Sequence, residues 1–333
     1  MTTARELSLF ALDPDRRFAT NVAERLGVSL APLEDRVFED GEYKIRPLES
    51  VRGHDVYVLS SLYHGEGASS ADRLLKMLFF IGAVRDAGAR RITAVTPYLC
   101  FARKDRRTKP RDPVTTRYVA QLFEAMKIDG LIGIDIHNLA AFQNAFRCET
   151  LHLDAQALFA QRLLADIGET PVAVVSPDLG GDKRAELFRQ RLERLLKRPV
   201  GKGFMDKFRS EGRVTSDIFA GDVQGRIAII IDDLIAGGGT IARVAAACKA
   251  QGARAVWGVA THGVFTGAAA AILAEAPLER LWITDTAPLH PASPVATALG
   301  DRLSVASAAP LFGEAIRRHH LDGSITELLE NGP

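Results

Sequence analysis

The chain has 333 residues, 47% of them hydrophobic and 25% charged, proportions that exclude a disordered or fibrous protein; the length favours two domains, since one hydrophobic core usually stops growing below it. A formal net charge of +1 excludes a global basic field, so no nucleic-acid partner is expected and polyanions must be met by local clusters such as Arg103 to Arg107. The three cysteines, Cys100, Cys148 and Cys248, are widely spaced in apolar segments, which argues against a disulfide framework or a cysteine metal site and for a reduced, cytoplasmic setting.

The opening stretch, MTTARELSLFALDPD, carries early acidic residues and no long apolar run, and no segment reaches the roughly 18 apolar residues of a membrane span, so a soluble, unexported protein without a membrane partner is expected. ELSLFAL, DVYVLSS, RRITAVTPYL and LIGIDIH read as strands, with SSADRLLKMLFFIGAVRDAG and TTRYVAQLFEAMK as helices between them. HLDAQALFAQRLLADIG reads as a helix that suits either half. PVAVVSPD, GRIAIIIDD, AVWGVATHG and RLWITDT are strands again, separated by helical segments at 183–196, 241–249 and 267–275. This alternation predicts α/β architecture with mostly parallel sheets flanked by helices. The plan repeats, giving domains at 1–155 and 156–315 and a tail at 316–333. The stretch 199–222, with mixed charge and several glycines, is expected to be a long loop or loose hairpin, either a binding lid or a mobile surface excursion.

The most informative segment is RIAIIIDDLIAGGGTIARVAAACKAQGA. Its apolar run suits a buried strand, and Asp232 and Asp233 fall at the carboxyl end, where open α/β sheets bind ligands. Gly237, Gly238, Gly239 and Thr240 then lead into a helix, a combination that offers backbone N–H groups, a positive dipole end and a hydroxyl to a phosphate. The two acids suit the vicinal hydroxyls of a ribose. Together these imply a ribose phosphate; the alternative is a tight strand-to-helix turn capped by acids. No Lys follows the last glycine, so this is not the nucleotide P-loop.

DDLIAGGGT resembles the phosphoribosyl-diphosphate loop of the phosphoribosyltransferase superfamily. Over almost its whole length the chain resembles the ribose-phosphate diphosphokinases, through FEDGE, ESVRG, FARKDRR, KPRDPVTTRYVA, DIHN, SPDLGGDKRA, DKFR, GDVQG, THGV and DTAPL. The resemblance implies two tandem phosphoribosyltransferase-like domains and Mg²⁺-dependent transfer of the diphosphoryl group of ATP to C1 of ribose 5-phosphate, giving 5-phosphoribosyl 1-diphosphate and AMP. It implies a homo-oligomer built from dimers, with a hexamer as the family assembly, in which Phe38, Asp40 and Glu42 reach the nucleotide base of a neighbouring subunit. Taken alone those three read as a turn with a buried Phe.

The same resemblance assigns Arg103 to nucleotide binding, with Lys104 in the place of the usual Gln. Arg106 and Arg107 equally suit a solvated basic turn. Asp178 is a natural Mg²⁺ ligand on chemical grounds. His137 is placed near metal and nucleotide by resemblance only, and alone reads as a structural hydrogen bonder, as do His152, His262 and His290. Lys207 and Arg209 match the catalytic cations, where Phe208 replaces a basic residue between them, and Ala236 and Gly237 stand where the family has an acid and a Thr. Two other readings stay open: a phosphoribosyltransferase that consumes phosphoribosyl diphosphate, and a catalytically silent regulatory subunit.

Overall fold

The computed structural model describes residues 6–65, 67–210 and 213–331. The chain divides into two units, one running to Asp154 and resuming at Ala309, the other spanning Ala155–Ala308. The first runs β1 (Leu7–Ala11), α1 (Arg17–Leu26), β2 (Leu33–Val37), β3 (Tyr43–Pro47), β4 (Asp55–Leu59), α2 (Ser70–Asp86), β5 (Arg91–Thr96), α3 (Thr115–Ala125), β6 (Gly130–Ile134), α4 (Leu139–Ala145) and β7 (Glu149–Leu153). Five of these strands form a parallel sheet in the order β1-β4-β5-β6-β7, while β2 and β3 make a separate antiparallel hairpin.

Local chemistry accounts for the helix between β4 and β5. Ser69 accepts the Asp72 N–H while the Asp72 carboxylate accepts the Ser69 N–H, a reciprocal capping box that fixes where α2 begins. Leu74, Met77, Leu78, Ile81 and Val84 then recur at helical spacing and join Phe10, Val56, Val58 and Ala94 of the strands in one buried cluster.

The second unit runs α5 (Gln156–Ile167), β8 (Val172–Ser176), α6 (Asp182–Leu196), β9 (Gly201–Ser210), β10 (Arg213–Gly221), β11 (Ile227–Ile235), α7 (Gly239–Ala250), β12 (Ala255–Gly263), α8 (Ala269–Glu275), β13 (Arg280–Thr284), α9 (Pro294–Leu299) and β14 (Leu303–Ala306). Its sheet has the order β10-β9-β8-β11-β12-β13-β14, parallel except for the β9–β10 pair. Both units are thus mostly parallel sheets with helices, as the alternation predicts. Among the described residues no helix is long and apolar enough to cross a membrane.

Two expectations need correction, and a third resolves between its alternatives. The segment 152–168 is not one helix: His152 and Leu153 end β7, which pairs with β6, and α5 starts at Gln156. Of the two alternatives for 199–222, the hairpin holds: β9 and β10 pair antiparallel, with a register shift between Val214 and Ser216. Its base closes tightly, for a Cβ on Gly221 would lie 2.5 Å from the Gly203 Cα, and β9 pairs in parallel with β8, a long-range partner that local composition does not reveal. Lastly, the chain from Ala309 returns to the first unit as α10 (Ala309–His320) and α11 (Ile325–Asn331), so the second domain does not run to 315 and 316–333 is not a separate tail. The reason is apolar: Leu311, Phe312, Ala315 and Ile316 of α10 are buried, Phe312 meets Phe18 of α1 edge-on at 5.6 Å, and Gly313 lets α10 approach Arg25 more closely than any Cβ permits.

The end of α10 sits on the amino-terminal ends of this unit's strands through a charged network. Asp55, fully buried, is gripped by Arg91, whose Nε donates to Oδ1 at 2.8 Å, and lies 2.7 Å from Nδ1 of His320. The Tyr57 hydroxyl is 2.7 Å from Nδ1 of His319, whose Nε2 is 3.4 Å from Glu149. Burial, and then the positive charge of Arg91, lower the His319 pKa. For Asp55, burial pushes upward, but hydrogen bonds from Arg91 and His320 prevail and hold it below the ordinary value. Below the ordinary histidine pKa of about 6.5 the unfolded chain takes up a proton that folded His319 resists, so stability falls with acidification. We expect the thermal midpoint to drop between pH 7.5 and pH 5.5, and to drop less in His319→Gln; equal slopes in the two proteins would remove His319 from the pH response.

Candidate active site

The second unit contains a place where consecutive crossovers part: the chain leaves β8 for β9 on one side, then passes from β10 to β11 on the other. Ligands of open α/β sheets bind at the carboxyl ends of strands where connections diverge in this way. Asp178 lies two residues beyond β8, and Asp232 and Asp233 lie near the end of β11, the strand paired with β8 through Ile230 and Val175.

Each group there is fixed by its local turn. The Asp178 carboxylate accepts the Gly181 N–H at 3.0 Å, capping a short 3-10 turn that leads into α6, while the Ser176 hydroxyl donates to the Asp178 carbonyl at 2.6 Å. Asp233 is 3% exposed, and its N–H donates to Oδ1 of Asp232 at 2.9 Å. Burial, and then the neighbouring Asp233 carboxylate, push the Asp232 pKa well above its ordinary value, against the pull of Arg184. That arginine, from the first turn of α6, lies 3.5 Å from Asp232 and 3.3 Å from Asp233. Sequence reading gave it no role, although it stands inside the SPDLGGDKRA motif.

After β11 the glycine run performs two tasks. Gly238 adopts the left-handed conformation, φ 77°, against the side chain of Leu273, and no described side chain caps the first turn of α7 that follows. Its leading N–H groups are therefore presented with Thr240, which is partly exposed, to an anion. At Gly237 and Gly239 a Cβ would meet nothing within 4 Å. Next to this loop, His262 is buried and lies 2.8 Å from the Thr286 hydroxyl, in keeping with a structural role.

Lys207 and Arg209 stand in β9, paired along the backbone with Asp217 and Val214 of β10; their side chains lie outside the described residues. The base of this hairpin is tied to α6 by Lys202, whose ammonium is 2.9 Å from Asp182 and 3.4 Å from Glu186.

In the first unit, Phe38, Asp40 and Glu42 occupy the tip of the β2–β3 hairpin. The Phe38 N–H donates to the Glu42 carbonyl at 2.7 Å, and the Glu42 N–H donates to the Asp40 carboxylate at 3.0 Å. Phe38 is 39% exposed with the Arg36 guanidinium 5.0 Å over its ring, so this is not a turn built on a buried Phe.

Arg103 and Lys104 lie in the loop after β5. Thr115 and Thr116, at the start of α3, hold that loop by donating to the Phe101 carbonyl at 3.0 and 3.3 Å. Lys104 is engaged inside the loop, its ammonium on Asp112 and 2.9 Å from the Thr108 hydroxyl. Lys104 and Thr108 in turn hold the Asp112 pKa far below the carboxylate range. Arg103 is exposed. The following loop, after β6, carries exposed His137, and the amide of its neighbour Asn138 donates to Asp105, linking the two loops. Among the described residues no group of three or more His, Cys, Asp or Glu side chains gathers to hold a metal.

Comparison with known proteins covers the same elements. Residues 7–126 match the N-terminal domain of ribose phosphate pyrophosphokinase, residues 149–271 the phosphoribosyl transferase domain, and residues 213–330 the phosphoribosyl synthetase-associated domain. A ribose-phosphate pyrophosphokinase of Caldanaerobacter subterraneus is 36% identical, with 97% of each chain covered, and one of Listeria ivanovii is 34% identical, with 98% of each covered. The crystal structure of phosphoribosylpyrophosphate synthetase from Mycobacterium smegmatis is similar at a TM-score of 0.85 and 32% identity, over 96% of this chain and 100% of that one. On this full-length likeness, and with acids and a glycine-run helix start at the divergent strand ends, the chain belongs to the ribose-phosphate pyrophosphokinase family of enzymes.

Proposed function

We propose that the protein transfers the β,γ-diphosphoryl group of ATP to the C1 hydroxyl of ribose 5-phosphate, releasing AMP and 5-phosphoribosyl 1-diphosphate. The observation that carries this reading is the pair Asp232 and Asp233 beside an uncapped helix start at the divergence of β8 and β11. The uncapped turn with Gly237, Gly238, Gly239 and Thr240 takes the 5-phosphate, and the carboxylates accept the vicinal hydroxyls, which aligns C1. The O1–Pβ bond forms as the bond from Pβ to the oxygen bridging the α-phosphate breaks; that oxygen leaves on AMP, and the C1 hydroxyl proton is released to solvent. Lys207 and Arg209 act as fixed cations for the charge developing on the transferred group.

The nucleotide is assigned to Arg103 and His137 on the linked loops of the first unit, with Lys104 bracing the loop. Phe38, Asp40 and Glu42, exposed at a hairpin tip, serve the base in a neighbouring copy of a homo-oligomer. The donor set fits Mg²⁺ bound in part through substrate: Asp178 offers a carboxylate already oriented by Gly181, and an ion that keeps waters and borrows phosphate oxygens needs only one or two such ligands. Asp178 and, by the family resemblance alone, His137 are the residues that would hold it. Bound there, the ion supplies neutralisation of phosphate charge.

Incubating the purified protein with Mg²⁺, ATP and ribose 5-phosphate should yield AMP in step with phosphoribosyl diphosphate. ADP as the product would replace diphosphoryl by single-phosphoryl transfer, and turnover of phosphoribosyl diphosphate with a nucleobase instead would favour the phosphoribosyltransferase reading. Lys207→Ala should lower kcat by about 10²-fold or more while leaving the Kd for ribose 5-phosphate within about threefold, an effect confined to the transition state; an unchanged kcat removes Lys207 from the chemistry. Because the space at Gly237 is open, Gly237→Thr should add a phosphate donor and tighten ribose 5-phosphate about fivefold, equivalent to about 1 kcal/mol; weaker binding would show that the phosphate lies elsewhere.

A further inference from the structure

Asp232 and Asp233 are consecutive carboxylates at the end of a strand whose preceding five residues are all buried. Two such groups do not both stay ionised without a counter-charge, because like charges in a poorly solvated place drive one of them to take a proton. A protonated acid would offer the sugar a donor where an acceptor is needed. Charged or titratable groups on the elements packed around this strand include Asp178 after β8, His262 of β12, which is engaged with Thr286, Asp182, Lys183 and Arg184 at the start of α6, and Arg243 of α7.

We propose that Arg184 is a positioning residue for the sugar: its guanidinium, paired with both carboxylates, opposes their protonation and aligns them to receive the vicinal hydroxyls of ribose 5-phosphate. The inference rests on the reading of Asp232 and Asp233 as the ribose-binding pair. Three features of the geometry support it. The guanidinium reaches both acids through one nitrogen, at 3.5 and 3.3 Å, longer than the 2.7–2.9 Å of a tight charge-assisted bond. Asp232 is thereby paired with the guanidinium without being clamped by it, and a carboxylate held at that distance retains acceptor capacity for a hydroxyl.

The arginine is also anchored from outside the pair. The turn before α6 is capped by Asp178, and the first residue of α6, Asp182, is bound by Lys202 of β9. Arg184 therefore stands on a helix start braced from two sides, with its side chain 18% exposed. Finally, a guanidinium remains charged at any working pH, which a lysine or histidine does not guarantee. Burial and Asp233 raise the Asp232 pKa, and Arg184 pulls against them, the direction this role requires.

The test is titration of ribose 5-phosphate into the full chain by calorimetry, without nucleotide, for the wild type, Arg184→Gln, Arg184→Lys, Asp232→Asn and the double variant Arg184→Gln/Asp232→Asn. Arg184→Gln is expected to weaken binding about tenfold or more, and Arg184→Lys to recover most of the loss. If Arg184 acts through the acids, the double variant binds within about twofold of Asp232→Asn alone, since residues in one network are not additive. Losses that multiply in the double variant would overturn the proposal by showing that Arg184 acts independently of Asp232. So would an Arg184→Gln Kd within twofold of the wild type. Wild-type binding that is untouched by Asp232→Asn would instead sink the ribose reading of the acids, and with it this role for Arg184. Arg184→Lys keeps the positive charge and so serves as the folded reference should Arg184→Gln prove unstable.

Discussion

Repulsion between Asp232 and Asp233 is the constraint to which the second unit answers. Ending a buried strand in two carboxylates is unfavourable unless a cation stands beside them, and Arg184 supplies it from α6. For α6 to begin at that spot, β8 must lie next to β11, and the turn after β8 must deliver the helix at once, which the Asp178 cap and the Lys202 ion pairs achieve. The divergence of the chain on either side of β8 then leaves the carboxyl edge open above the acids. The glycine run follows for the same reason, since only backbone without side chains brings the start of α7 to that edge with its N–H groups uncovered.

The first unit separates two kinds of work by strand end. Its amino-terminal edge carries Asp55, Arg91, Tyr57, Glu149 and the two histidines that close α10, a network that fastens structure. Its carboxyl edge carries loops stitched by small polar groups: threonine hydroxyls on the Phe101 carbonyl, Lys104 on Asp112, Asn138 on Asp105. Exposed Arg103 and His137 stand on those loops, carried by a backbone that these contacts hold.

Much of this was legible in the sequence because parallel strands announce themselves as apolar runs and helices as stripes. VAVVS, IAIIIDD and the stripe from Leu74 to Val84 needed no long-range information. The acids, glycines and Thr240 were legible too, because their order along the chain is the order in which strand end, turn and helix start occur. What escaped was non-local. Strand β7, Glu-Thr-Leu-His-Leu, is weakly alternating and gains its identity from pairing with β6. The β2 and β3 strands are short, charged and largely exposed, so no buried face marks them. The hairpin of β9 and β10 depends on β8 as a neighbour. Arg184 was invisible as a partner of the acids because 48 residues separate it from Asp232, and sequence spacing says nothing of a contact made through a sheet.

The return of α10 to the first unit bears on how the chain is made. Phe18 of α1 finds its edge-on partner Phe312 only in the helix that follows the whole second unit. At ordinary rates of translation, the nascent first unit waits roughly ten to thirty seconds for that helix, with one apolar flank of α1 uncovered. During that interval the incomplete unit presents a sticky surface at the ribosome, and any nonsense codon or frameshift late in the message leaves it permanently so. Completion of the first unit therefore waits on α10: a chain that stops before Ala309 leaves a flank of its first helix bare.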